Sequence, residues 1–421
     1  MALPEHGTPV DEVLEALDAK RTHDARWRDG RTFGLVFDGG PGPHEAAERA
    51  SQLFLHENAL NPLAFPSLGQ IQSEVVDICR ELFHGSDTAA GFMTSGGTES
   101  ILMAVKAARD RARRERDVTA PEMVVATSAH AAFHKASHYF GVELHAVDVG
   151  DDWRADVEAM AAKVTDDTVL VVGSAPQYPQ GVIDPIPELA ALAAEVGASC
   201  HVDACMGGFV LPFMERLGHD LPAWDFRVEG VTSISADIHK LGYAPKGASV
   251  LLHRTEELRR DQIFVFDDWL GGFYASPGMQ GTRPAGPMAA AWAVLHHLGM
   301  EGYLRLTETT LDAHRRMVEG IRALDGLRVI GEPEAHLLAI AADEEAGAGG
   351  DPLDVFAIGD AMQARGGWHL DRQAPPDSLH ATVSAGNAPV IDEFLADLEA
   401  AVAEVRGQRA EDRSTTYASL E

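Results

Sequence analysis

Lysine is the residue this chain uses least for its charge. Its 34 basic residues include only six lysines, Lys20, Lys106, Lys135, Lys163, Lys240 and Lys246, and arginine carries the rest. Two lysines inside one seven-residue window, Lys240 and Lys246, are therefore not explained by solubility alone. Cysteine is also rare. Cys79, Cys200 and Cys205 cannot build a disulfide framework, and the absence of a CxxC pair leaves no expected metal site. No apolar run approaches the roughly 20 residues that cross a bilayer. The start, MALPEHGTPVDEV, has neither the basic end nor the apolar centre of a secretion signal. These absences predict a protein of the reducing cytoplasm with no membrane anchor. An excess of basic charge is missing as well: the formal net charge is −31. That argues against nucleic acid or an anionic membrane face as partner, since both are bound through basic surface.

What is present suits a globular enzyme-sized body. Apolar residues make up 45% of 421, enough for two lobes sharing a core. Residues 1–57 read as an N-terminal arm with helical stretches over 10–25 and 46–55. From 58 to 300 helix and strand signals alternate, with strands expected over 123–128, 143–149, 168–173, 199–203, 231–236 and 248–253. This rhythm predicts an α/β domain with a mainly parallel sheet covered on both faces, whose ligands gather at the carboxyl ends of the strands. Helices near 289–298 and 303–324 lead into a smaller α+β domain, 301–411. Residues 412–421 lie beyond this domain as a tail, and the whole stretch RGQRAEDRSTTYASLE is expected to be mobile.

Four loops beside these strands hold complementary residue types. TSGGTES, residues 94–100, places Gly97 where a backbone can approach an anion and Thr98 at a helix N-terminus. HVDAC ends a buried strand on Asp203, whose carboxylate needs a cationic partner there. An arginine or a protonated ring nitrogen would serve. SAHAAFHKA puts His130 at a strand-to-helix switch, where an imidazole can stack on a flat ring, and leaves His134 on a helix surface. VTSISADIHKLGYAPKGASVLLHR carries Ser235 near the end of one strand and Asp237, His239, Lys240 and Lys246 in the turn that leads to the next. A lysine held at a strand end can lose its proton and attack a carbonyl. An anion cradle, a ring-nitrogen carboxylate, a stacking group and a Schiff-base lysine are together the parts that pyridoxal 5'-phosphate requires.

On these segments, and on SAPQYPQGVIDPIPELA and DDWLGGFYASPGMQGTRPAG, the chain resembles the sphingosine-1-phosphate lyase family. That family lies within the pyridoxal-phosphate enzymes that include the group II amino-acid decarboxylases. The resemblance runs from about Thr22 to Val405. It implies the type I, aspartate aminotransferase-like fold and a homodimer with shared active sites acting on a small-molecule amine. By motif it implies that Lys240 bonds the cofactor, Asp203 holds its ring nitrogen and His130 stacks on the ring. Gly97, Thr98, Ser235 and His239 would surround its phosphate, with Gly281 and Thr282 arriving from the partner subunit. Lys246 would bind the substrate's phosphate. The implied reaction is retro-aldol cleavage of a phosphorylated β-hydroxy amine to an aldehyde and a phosphoethanolamine-like product.

Two positions depart from the family pattern. A tyrosine of the arm is Phe37 here, and a histidine of the family's NPLH segment is Asn61. Both belong to the family's grip on the substrate phosphate, and losing charge-assisted contacts weakens such a grip. An amino-acid decarboxylase is therefore the alternative expectation. A pyridoxal-type transcription regulator would need a basic helix-turn-helix ahead of this body, for which the acidic arm has no room.

Overall fold

The computed structural model describes residues 2–343 and 352–417. Its centre is a seven-stranded sheet made of β1 (Ala90–Thr94), β2 (Glu122–Ala126), β3 (Glu143–Val147), β4 (Thr168–Ser174), β5 (Ser199–Asp203), β6 (Val231–Ala236) and β7 (Ser249–His253). The spatial order is β1-β7-β6-β5-β4-β2-β3. All neighbours from β6 to β3 pair in parallel, and β7 runs against both β6 and β1. Val, Leu and Ile fill these strands. Every residue of β4, β5 and β7 is buried, as expected of strands covered on both faces.

Helices 97–116 and 186–195 pack against this sheet. Helix 285–322 leaves the large lobe and enters the small one, broken at Gly299, where φ of 52° and ψ of −171° interrupt the helical path. The two helices expected from the sequence are thus both present, meeting at a kink at Gly299. An exposed antiparallel pair, β8 (Phe264–Phe266) and β9 (Tyr274–Ser276), lies between the lobes in sequence. The second sheet is antiparallel, in the order β10 (Leu327–Val329), β11 (Leu337–Ala342), β13 (Ser378–Thr382), β12 (Asp371–Gln373). A separate core built on Phe33, Met317, Phe356, Trp368 and Phe394 supports it. Among the described residues, no helix is long and apolar enough to cross a membrane.

Residues 412–417 of the tail touch the small lobe. Arg413 pairs with Asp354 and Asp377 of the small lobe, and its guanidinium lies 5.1 Å from the Phe356 ring centre. Arg372 donates to the Asp412 carbonyl at 2.6 Å. The acidic surface of the small lobe is what the sequence pattern of the tail alone does not reveal.

The strand-end loops are set by close packing. After β5 the chain turns through Gly207, where an added Cβ would lie 2.1 Å from the Ala175 carbonyl oxygen and 2.7 Å from Pro176. Both neighbours belong to the loop after β4, so neither can yield without moving the site. Gly207→Ala is expected to lower stability by about 2 kcal/mol, in the range for overpacking. Urea unfolding against the parent checks this, and an unchanged midpoint would show that the contact relaxes freely.

Candidate active site

Four strand ends converge on one place. β6 ends at Ala236, and the chain turns at once through Asp237 to Lys240. Lys240 Nζ lies 2.9 Å from Asp237 Oδ2, and His239 Nε2 lies 3.6 Å from the same oxygen. Asp237 is buried, and burial alone would raise its pKa. The Lys240 and His239 charges outweigh it and hold the carboxyl below its usual range. Burial likewise pushes the Lys240 ammonium down, but Asp237 wins and raises its pKa well above the usual lysine value. Lys240 is therefore an ammonium as the site stands, and it must shed a proton before it can attack a carbonyl.

Asp203 closes the neighbouring strand, directly opposite Ser235 in the ladder. Its Oδ1 accepts from the Cys205 amide at 3.0 Å and from Ser235 Oγ at 3.2 Å. No arginine or lysine pairs with it among the described residues, so the arginine alternative is not realised. Beneath it His201 bonds Ser233 Oγ at 2.9 Å and Ser235 Oγ at 3.1 Å. Burial pushes His201 down to about 4, which keeps this imidazole neutral and Ser235 fixed. His130 follows β2 and lines a small cavity with Asp203, Cys205, Tyr178 and Lys240. Burial lowers its pKa too, favouring a neutral ring that can lie on another ring.

The loop after β1 approaches from the other side. Glu99 accepts from the Ser95 amide and hydroxyl, both at 2.7 Å, and from the Met279 amide at 2.7 Å. This clamps TSGG into a tight entry to helix 97–116. A Cβ on Gly97 would meet Cys205 Sγ at 2.8 Å and Asp237 Oδ2 at 2.9 Å, so only glycine lets this helix end reach the β5 and β6 loops. Free amides at a helix N-terminus favour an anion, and Thr98 adds its hydroxyl there.

Lys246 returns toward the same turn. Its Nζ donates to the His239 carbonyl at 3.0 Å and sits 4.9 Å from the Phe37 ring centre. Although Lys246 is exposed in the single chain, protein atoms strip water from its Nζ and Lys240 repels its charge, lowering its pKa to about 8. The remaining expected residues lie elsewhere. Asn61 is exposed and accepts the Leu63 amide at 2.9 Å. Gly281 lines a separate cavity with Leu60, Pro62, Tyr274 and Arg283, and Thr282 is its chain neighbour. The cavity that Gly281 lines does not include Lys240. His134 is on the helix surface.

Several side chains of the site had no assigned role in the sequence reading. Asp237 could have been found from its spacing of three before Lys240 in a strand-end turn. Tyr178 donates to Asp371 Oδ2 at 2.7 Å and lies 3.9 Å from the His380 ring centre. These residues join across 193 and 202 positions, and no local pattern announces that. Tyr417 packs edge-on to His130, with ring centres 5.2 Å apart, and had no signal either.

The residues fit pyridoxal phosphate. Asp237 Oδ1 and His239 Nδ1 are buried without a hydrogen-bond partner among the described residues, and unpartnered polar atoms are uncommon in a finished interior. Asp203 keeps Oδ2 for a cationic ring nitrogen, and the glycine cradle suits a phosphate.

Comparison with known proteins agrees. The pyridoxal-dependent decarboxylase conserved domain matches residues 55–341. The sphingosine-1-phosphate lyase of Arabidopsis thaliana is 42% identical over 412 residues, 96% of this chain and 74% of that protein. The structure of a Burkholderia pseudomallei sphingosine-1-phosphate lyase is 39% identical and superposes with a TM-score of 0.90, covering 96% of this chain and 93% of that one. Glutamate decarboxylase of Lactobacillus brevis shares the fold, with a TM-score of 0.83 at 22% identity over 96% of this chain and 94% of that one. Strand order, strand-end chemistry and near full-length similarity lead to one conclusion: this chain belongs to the sphingosine-1-phosphate lyase family of pyridoxal-phosphate-dependent lyases.

Proposed function

We infer that this lyase cleaves the Cα–Cβ bond of a phosphorylated β-hydroxy amine of the sphingoid type, giving an aldehyde and a phosphoethanolamine-like product. The observation that carries this reading is the pair of lysines on one loop. Lys240 is set to bond a carbonyl, and Lys246 stands six residues on as a cation at the mouth of the same turn. Pyridoxal phosphate, when bound, supplies the electron sink that stabilises negative charge on the carbon next to the amine. The protein supplies the rest. Asp237, 2.9 Å from Lys240 Nζ, holds the Lys240 ammonium in place until that nitrogen gives up its proton. Asp203 keeps a ring nitrogen protonated, and His201 and Ser235 hold Asp203 in place. His130 covers the ring face. Gly97, Thr98, Ser235 and His239 enclose the cofactor phosphate, and Lys246 holds the substrate's anion.

Two features support a homodimer with shared sites. Gly281 lines a cavity of about 190 Å³ with Leu60, Pro62 and Arg283, separate from the one that Lys240 lines, and Asn61 and Thr282 are chain neighbours of that lining. Around them Leu60, Leu63, Phe264, Phe266, Trp269, Leu270, Phe273 and Met279 are exposed, more apolar surface than a lone soluble protein ordinarily shows. A partner seated there buries this surface and carries its Gly281 and Thr282 to the cofactor phosphate of the opposite site. The double substitution Leu270→Asp with Phe273→Asp is expected to shift the protein from dimer to monomer in analytical ultracentrifugation and to weaken pyridoxal phosphate binding about tenfold or more. A charged variant that stays dimeric with full affinity removes this face from the interface.

The reaction is tested by product identification on a panel of long-chain base phosphates and amino acids. An aldehyde with phosphoethanolamine or its analogue is the expected product, and Lys240→Ala is expected to abolish both turnover and the visible absorbance of the lysine-bound cofactor. Carbon dioxide from an amino acid, with no turnover of any long-chain base phosphate, would overturn the reading in favour of decarboxylation.

Lys246 adds a pH dependence. Its pKa of about 8 means that the free enzyme carries the anion-binding charge below that pH and loses it above. For a phosphorylated substrate, kcat/KM is therefore expected to fall as pH rises through about 8, mainly through a rising KM. Lys246→Ala should remove that limb, and Phe37→Tyr should lower KM severalfold by about one added hydrogen bond. A profile identical in Lys246→Ala would assign the limb to another group.

A further inference from the structure

The cleft above Lys240 is divided by the chain itself. On the outer side lies a cavity of about 530 Å³, walled by His130, Trp153, Tyr178, Asp371, Pro375 and Tyr417. On the inner side His130, Asp203, Cys205, Lys240 and the same Tyr417 enclose only about 20 Å³, room for about one water. Tyr178 also borders both. Tyr417 is the one of these shared walls that comes from the segment following the last helix, and its ring is held edge-on between His130 and Tyr178, at 5.2 and 5.3 Å between ring centres.

An aromatic cofactor ring that reaches Lys240, opposes Asp203 and lies on His130 needs far more than one water's volume. With Tyr417 as one of its walls, the inner space is smaller than such a ring. Tyr417 lines the inner space beside Asp203, Cys205 and Lys240, the groups that such a ring has to meet, while about half of the residue stays open to solvent (54% exposed). A flat, six-membered ring with a polar end is thus already placed among them.

The segment that delivers it is fastened at the surface. Asp354 accepts the Ala410 amide at 3.3 Å and pairs with Arg413, which also pairs with Asp377. Arg372 holds the Asp412 carbonyl at 2.6 Å, and the Ser414 amide closes on Asp412 Oδ1 at 2.8 Å. Exposed ion pairs of this kind contribute little each and weaken with salt, which suits a fastening that opens and recloses.

We propose that residues 410–417 form a strap whose Tyr417 side chain and pyridoxal phosphate exclude one another from the same pocket, so that the cofactor enters only when the strap lifts. The proposal rests on the reading of Lys240, Asp203 and His130 as the cofactor site. Lifting Tyr417 joins the two cavities into one cleft that opens over the small lobe. The strap keeps the buried Lys240–Asp237 pair covered in the apoprotein and leaves it to the cofactor afterwards. No covalent step is involved.

The test follows pyridoxal phosphate binding to apoprotein by the visible absorbance of the lysine-bound form. Tyr417→Ala is expected to raise the association rate about tenfold, and Arg413→Ala, which touches only the fastening, about threefold. Hydrogen exchange on the unaltered full chain gives an independent readout: the Ala410 amide, bonded to Asp354, is expected to be protected in the apoprotein and to lose protection when the cofactor is added. Wild-type rates in both variants, weaker cofactor binding by Tyr417→Ala, or protection that persists in the holoprotein would each overturn the strap. Absence of the absorbance from every form, the parent included, would instead overturn the cofactor-site reading on which the strap rests.

Discussion

The ion pair between Lys240 and Asp237 is the contact around which the site is built. A buried carboxylate is tolerated only with a cation beside it, and removing one partner of such a pair commonly destabilises by about 3–5 kcal/mol. Asp237 is held at the end of β6, against the glycine entry of helix 97–116 and beside Cys205. Any change that moves one strand end therefore exposes or strands a charge. The same pair sets the resting chemistry. It keeps Lys240 protonated and extended into the cleft, so the reactive form of the nitrogen appears only when another carbonyl or cation rearranges the charges around Asp237.

Much of the large lobe was legible because its strands are short apolar runs between glycine and proline. The bounds of β5 and β6 agree with those expected, and β4 and β7 differ from expectation by one residue. β1 was not anticipated, since two alanines and a glycine dilute AAGFMT below a recognisable strand, and it exists because β7 offers it a ladder. Short strands such as β8, β9 and β12 were missed for the same reason: three residues carry too little pattern. The two helices within 285–322 were legible, and Gly299, with non-helical φ and ψ, separates them. In the site, Lys240, Asp203, His130 and Gly97 stood out because each sits at a strand or helix end with a chemistry unlike its surroundings. Tyr178, Asp371 and Tyr417 did not, because their placement depends on how the small lobe closes over the large one.

The small lobe is accordingly a wall of the cleft as well as a support. Asp371 on β12 accepts the Tyr178 hydroxyl, and burial together with this carboxylate raises the Tyr178 pKa. His380 on β13 lies against the same ring. The phenol is thus fixed as a neutral donor, and the outer cavity inherits a rigid floor from the large lobe and a wall from the small one.

β7 is the one strand of the central sheet that runs against its neighbours, and this reversal sets more than the strand order. Because β6 and β7 are paired along their length, the connection from Asp237 to Ala248 begins and ends at adjacent rungs of one ladder. Its two lysines are consequently mounted on a closed bracket and not on a free crossover. The span between the nitrogen that bonds a carbonyl and the cation at the mouth is held by the frame, whatever enters. A ligand is gauged by the length of its head, from amine to anion, while the part that trails outward into the cleft is left unmeasured.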